Sequence, residues 1–176
     1  VLTTISAVFD GDRDSCETRS PSSRQLVIAS HGRLFAYNID TEEEEPLHLG
    51  GGLPAGSLYY SIFPSLTPNT TFYCALRGDL DKGDKDFIVE ISLETRKVVG
   101  TIQTLPSTSF SHEVVKFNDT LYCADTGHGS LNVLSYPSFT LRQKHSLFLA
   151  SNHLNTISPE GEGKAWLTFH NQHLPS

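Results

Sequence analysis

Methionine is absent from this 176-residue chain and tryptophan occurs once. Without an initiator residue, the expectation is a processed product or a piece of a longer protein. Basic residues are in the minority, 13 against 20 acidic, for a net charge of −7. Sequence-independent nucleic-acid binding needs a basic face, so this balance argues against it. No apolar run reaches the roughly 18 residues that span a bilayer. The segment Val1 to Phe9 is too short and runs into Asp10-Gly11-Asp12. It reads as a strand or as the trailing end of something cleaved.

Several signatures of chemistry are missing as well. There is no Cys-x-x-Cys spacing, which argues against a structural zinc site. There is no Gly-x-Ser-x-Gly elbow, no P-loop and no dinucleotide fingerprint. The stretch Gly50-Gly51-Gly52-Leu53-Pro54-Ala55-Gly56 is glycine-rich but lacks a lysine and a following helix. It reads as a flexible connection. No segment sustains a helical period, so almost no helix is expected.

What the chain does have is repetition. Leu26 to Ser30, Phe72 to Leu76 and Leu121 to Asp125 are short apolar runs of similar phrasing, and Trp166 to His170 follows more loosely. Their last residues are spaced by 46, 49 and 45 positions. A period in this range, built of short β-rich runs, predicts an all-β fold, a β-propeller of four-stranded antiparallel blades. The expected repeats are roughly 1–50, 57–104, 110–148 and 152–176, the last incomplete, in one domain. About three and a half to four blades is less than a closed ring. The remaining blades, or a partner protein, are therefore expected to complete it.

The third repeat is the clearest. His112 to Phe117 is a strand, Asn118-Asp119 a tight turn, Leu121 to Asp125 a second strand, Gly127 to Ser130 another turn, Leu131 to Ser135 a third strand and Leu141 to Leu147 a fourth. Asn and Asp suit such hairpin turns. The second repeat has the same order, with inner strand 58–63, and the fourth opens at 153–158. In the first repeat the inner strand is poorly defined, Glu42 to Glu45 reads as a solvated turn and Leu47-His48-Leu49 as the outer strand.

Cys74 and Cys123 hold matching places in their repeats and read as small buried strand residues. Cys16 lies in a polar stretch and is free to pair outside the chain. Asn69-Thr70-Thr71 and Asn118-Asp119-Thr120 are glycosylation sequons at matching turns. Two at such places point to a secreted or organelle-lumenal protein with glycans on Asn69 and Asn118.

The run from His112 to Gly129 resembles the repeats of NHL-type and SMP-30/gluconolactonase-like six-bladed propellers. In those an inner strand opens with a polar residue, and a hairpin leads to a strand that ends in Asp before a glycine turn. The first repeat departs from the pattern, with Ser30-His31-Gly32 in place of the Asp-containing turn. The resemblance covers about three and a half repeats and implies the architecture more than an activity. Some of those propellers hold metal ligands on their inner strands, amidating lyases among them.

First strands line the axis of a propeller, so residues opening them are the site candidates. His112 and His153 open consecutive first strands, 41 residues apart. With His170 they form a candidate set of ligands for one divalent metal, Zn, Mn, Fe or Ca. Glu113 is the candidate general base, and Asp125, Asn155 and Asn171 are candidate ligand-binding groups. The chemistry so implied is a metal-assisted lyase or hydrolase reaction on a small polar substrate. Two alternatives remain at this point. The histidines are equally readable as structural donors to a neighbouring blade, and the propeller as a non-catalytic platform for protein interaction.

Overall fold

The computed structural model describes residues 4–9, 25–30, 33–47, 53, 57–68, 70–78, 85–146, 152–161 and 163–170. Apart from a 3-10 turn at Thr126–His128, their regular structure is all strand. No helix among them is long and apolar enough to cross a membrane.

The fold is a β-propeller of antiparallel blades. Blade 1 contains β1 (Thr4–Phe9), β2 (Gln25–Ser30), β3 (Arg33–Asn38) and β4 (Glu44–Pro46), paired in that order. Blade 2 contains β5 (Leu58–Pro64), β6 (Thr71–Arg77), β7 (Phe87–Ser92) and β8 (Val98–Thr104). Blade 3 contains β9 (Ser111–Phe117), β10 (Thr120–Asp125), β11 (Ser130–Ser135) and β12 (Leu141–His145). The hairpin β13 (Leu154–Gly161) and β14 (Lys164–Phe169) forms blade 4. The first strands β1, β5, β9 and β13 pack against one another in sequence and so face the axis.

Period-two alternation builds the core between blades. In blade 2, Phe72, Cys74 and Leu76 of β6 and Phe87, Val89 and Ile91 of β7 pack toward blade 1. The intervening Tyr73, Ala75 and Ile88 pack toward blade 3. Blade 3 divides likewise, with Leu121, Cys123 and Leu134 toward blade 2 and Tyr122, Ala124 and Leu131 toward blade 4. Cys74 and Cys123 are buried free thiols. They lie in different interfaces, and burial pushes both thiols well above the usual range.

In blade 1 the stretch read as a strand or a trailing end is a strand, and one expectation is corrected. Its inner strand is the Thr4–Phe9 segment. Its outer strand starts inside the acidic run, at Glu44 rather than after it. All three residues of β4 are exposed, so carboxylates cost nothing there, and Glu45 pairs with Arg96 of blade 2. His48, Leu49, Cys16 and Asn69 lie outside the described residues.

Polar ties repeat from blade to blade. Arg77, the last residue of β6, donates from Nε (3.1 Å) and Nη2 (2.7 Å) to the Ser111 carbonyl at the start of β9. Thr126, just after β10, donates to the Leu154 carbonyl at the start of β13, at 2.5 Å. One step along, Ser61 Oγ accepts the Val114 N–H (2.9 Å) and Glu113 Oε2 accepts the Ile157 N–H (2.6 Å). Phe110 (φ 55°) and His153 (φ 55°) both take the left-handed conformation directly before these strands. The structural equivalents are thus Phe110 with His153, Ser111 with Leu154, and Val114 with Ile157.

Candidate functional site

At the N-terminal mouth of β9 and β13 the aromatic and cationic side chains gather. A β-strand sends successive side chains to opposite faces, so His112 and Glu113 part company there. The His112 ring centre lies 4.4 Å from that of His153, and His153 lies 5.9 Å from His170. His170 is held in place because its N–H donates to the His153 carbonyl at 3.1 Å. Phe110 stands edge-on to His112 at 5.2 Å and to His153 at 6.3 Å. The guanidinium of Arg77 lies over the Phe110 ring, 4.0 Å from its centre, and 5.7 Å from the ring of Tyr60.

The left-handed backbone at Phe110 and His153 costs of order 1–3 kcal/mol at each bulky residue. It is what turns the two rings together at the mouth. Both residues precede the first ladder pair of their strands, where the backbone is free to take that conformation.

The electrostatics of the cluster are one-sided. Burial, then the Arg77 guanidinium, then His153 and His170 lower the pKa of His112 to about 4. His153 is lowered too, by burial first and then by His170 and Arg77. At neutral pH these imidazoles are therefore uncharged, with a nitrogen lone pair available to a metal or a proton. Nε2 of His112 is buried without a hydrogen-bond partner, as is the hydroxyl of Tyr60. These two occupy matching positions on β5 and β9, and Asn155 is their match on β13.

No family model matches the chain, and no curated protein does. Among solved structures, one chain of the crystal structure of the mitotic checkpoint complex is similar at 10% identity, with a TM-score of 0.47. The likeness covers 74% of this chain, which spans 38% of that one's length.

The structure stands His112 beside His153, the two read as opening first strands, and His153 beside His170, which follows the end of β14. Two other candidates, Glu113 and Asp125, are engaged elsewhere. Glu113 is turned away: its carboxylate accepts the Ile157 N–H and forms part of the wall of a cavity of about 140 Å³ between β5 and β9. Burial raises its pKa. A larger open depression, about 410 Å³, lies on blade 1 beside Glu43, Glu44 and Glu45 and holds none of the candidates.

Asp125 is fully buried and its carboxylate is occupied. It accepts the Ser109 N–H (3.0 Å), the Ser130 hydroxyl (3.0 Å) and the Asn132 amide (3.2 Å). Nδ1 of His128 lies 2.9 Å from it and the Lys144 ammonium 3.7 Å. It is the hub that closes blade 3, so a carboxylate read as ligand-facing is spent on the fold. Asn171 lies outside the described residues. No group of three or more His, Cys, Asp or Glu among those residues stands ready-made as a metal cage.

Sequence reading passed over Arg77, Phe110 and Tyr60. Arg77 carried a signal: a charged residue directly after a run of buried apolar residues, at the position that Thr126 holds one blade later.

Proposed function

We propose that this protein is a ligand-binding β-propeller, and that its site is the mouth where His112, His153 and His170 meet. A divalent metal ion held by the imidazoles is its cofactor, with zinc the best fit to an all-nitrogen donor set. One observation carries the reading: three imidazoles from two blades stand 4.4 and 5.9 Å apart in succession, and the most buried carries a partnerless nitrogen. Two imidazoles on one tetrahedral zinc, at bond lengths of 2.0–2.1 Å, have ring centres about 5 Å apart. The observed spacings bracket that value. His170 is exposed and has room to turn its ring toward the other two.

Such a metal would polarise a ligand oxygen or activate water. That supports a metal-assisted lyase or hydrolase reaction on a small polar substrate. Glu113 has no part in this version, because it is tied to β13. The chain's own contribution is to keep His112 and His153 neutral and to wall the site with Phe110. A secretory location, glycans on the two sequons, kinship with NHL-type propellers, and further blades or a partner protein completing the ring belong to the same proposal.

The test is calorimetric titration of the purified protein with zinc. A 1:1 complex that His112→Ala and His153→Ala each weaken at least tenfold is expected. Heats no larger than dilution would overturn the metal. A non-catalytic platform is the second reading, favoured by Trp166 of β14, which is 67% exposed. It predicts no zinc complex, and loss of a partner on Trp166→Ala.

A further inference from the structure

We infer that the ligand of the His112–His153 mouth carries an oxyanion, a carboxylate or phosphate, and that Arg77 receives it. The inference rests on the ligand-binding reading above and names the chemical class of that ligand.

Arg77 combines two roles. It anchors β9 through the Ser111 carbonyl, using Nε and one hydrogen of Nη2. A guanidinium has five N–H donors in a planar fork, so Nη1 and the rest of Nη2 are left over from that bond. Among the described residues Arg77 forms no ion pair. It is half-buried, sandwiched toward Phe110 at 4.0 Å and Tyr60 at 5.7 Å. Aromatic faces hold a guanidinium in place without consuming its donors.

The charge around the imidazoles points the same way. The groups that act on His112 are Arg77, His153 and His170, each a cation or able to become one. The carboxylate that acts on Arg77 is Asp86, which is fully buried and accepts the Ser111 N–H at Oδ2, 2.8 Å. It acts on Arg77 but not on His112. Nε2 of His112 and the Tyr60 hydroxyl are both buried without a hydrogen-bond partner, and the Tyr60 ring lies 5.7 Å from the guanidinium. An oxyanion at the mouth takes donors from both Arg77 and an imidazole N–H. Charge-assisted bonds of this kind are about twice as strong as neutral ones. It also offsets the positive field that otherwise opposes a divalent metal beside an arginine.

The experiment is an NMR titration of the histidine ring resonances. Three separate arms use sodium phosphate, sodium acetate and zinc chloride, with sodium chloride holding the ionic strength constant. Saturable shifts of His112 and His153 with phosphate or acetate are expected. The arm that saturates tells phosphate from carboxylate. Arg77→Gln should weaken that binding at least tenfold, and Arg77→Lys, which keeps the charge, much less. If neither anion shifts these rings while zinc does, the oxyanion inference falls and the metal reading stands. If an anion binds and zinc does not, the reverse holds. Wild-type affinity in a folded Arg77→Gln variant overturns the role of Arg77. Should that variant unfold, a wild-type anion affinity that does not fall as salt is raised would remove the electrostatic basis of the inference.

Discussion

The rings of His112 and His153 lie 4.4 Å apart, yet the two residues are not equivalents. His153 matches Phe110, because Leu154 takes the Thr126 bond that corresponds to the Arg77 bonds of Ser111. The histidine pair is an offset contact between neighbouring blades, made by one residue before a strand and one residue inside the next.

The pairing has a consequence for pH. His112 titrates near 4 when folded, against an ordinary value of about 6.5, so between these limits the unfolded chain binds more protons. Stability is therefore full above about 6.5 and falls as pH drops toward 4. His112 is part-exposed, and screening reduces the effect to the order of 1 kcal/mol. Asp86 and Glu113, both raised by burial, act in the opposite direction. The difference between wild type and His112→Gln isolates the histidine. Urea melts at pH 7 and pH 4.5 are expected to show the variant losing less stability on acidification; an unchanged difference would count against the depressed titration.

Removing the Asp125 carboxylate should be far costlier. Asp125→Ala strands the Ser109 amide, Ser130 and Asn132, and leaves Lys144 without its nearest buried counter-charge. Breaking a buried charge network by taking one partner costs about 3–5 kcal/mol. A denaturation midpoint within error of wild type would contradict the hub.

Thr126→Val tests the ties between blades. It deletes one buried hydrogen bond, to the Leu154 carbonyl, and leaves that carbonyl unsatisfied at a cost of about 1–3 kcal/mol. The loss should be local. Hydrogen exchange of β13 and β14 amides is expected to speed up while β6 and β7 stay protected. Uniform acceleration would mean that the blades do not open separately.

Gly127→Ala probes the close approach under the 3-10 turn. A methyl group there would meet the Ser109 carbonyl oxygen at 2.5 Å, and that oxygen accepts the Gly127 N–H at 2.9 Å. Overpacking of this kind costs about 1–3 kcal/mol. Thermal melting should fall by several degrees, and a neutral result would require the loop at Ser109 to move freely.

Asn118 is exposed, with φ 53°, in a two-residue turn closed by the Phe117–Thr120 pair. Expressed through a secretory pathway, the protein should gain a glycan mass that Asn118→Gln removes in part. A native mass equal to the bare chain would dismiss both sequons.

The sequence by itself determined the strands and the blades. Period-two apolar runs ending alike every 45 to 49 residues, with Asn-Asp at the hairpin tip, leave little choice but short antiparallel sheets stacked face to face. It also singled out His112 and His153, since residues opening inner strands approach the axis, and His170 from its place near the same hairpin. Tertiary structure decided everything that depends on register between blades. A 41-residue spacing in the sequence made His112 and His153 look equivalent, when hydrogen bonds from the preceding blade set Phe110 opposite His153. Bonds between blades likewise set Arg77 over Phe110 and tied Glu113 to β13, while bonds within blade 3 enclosed Asp125 among internal donors. Local periodicity specifies which face a side chain takes within its own strand. Which neighbour that face meets is set by contacts between residues tens of positions apart, which no local pattern records.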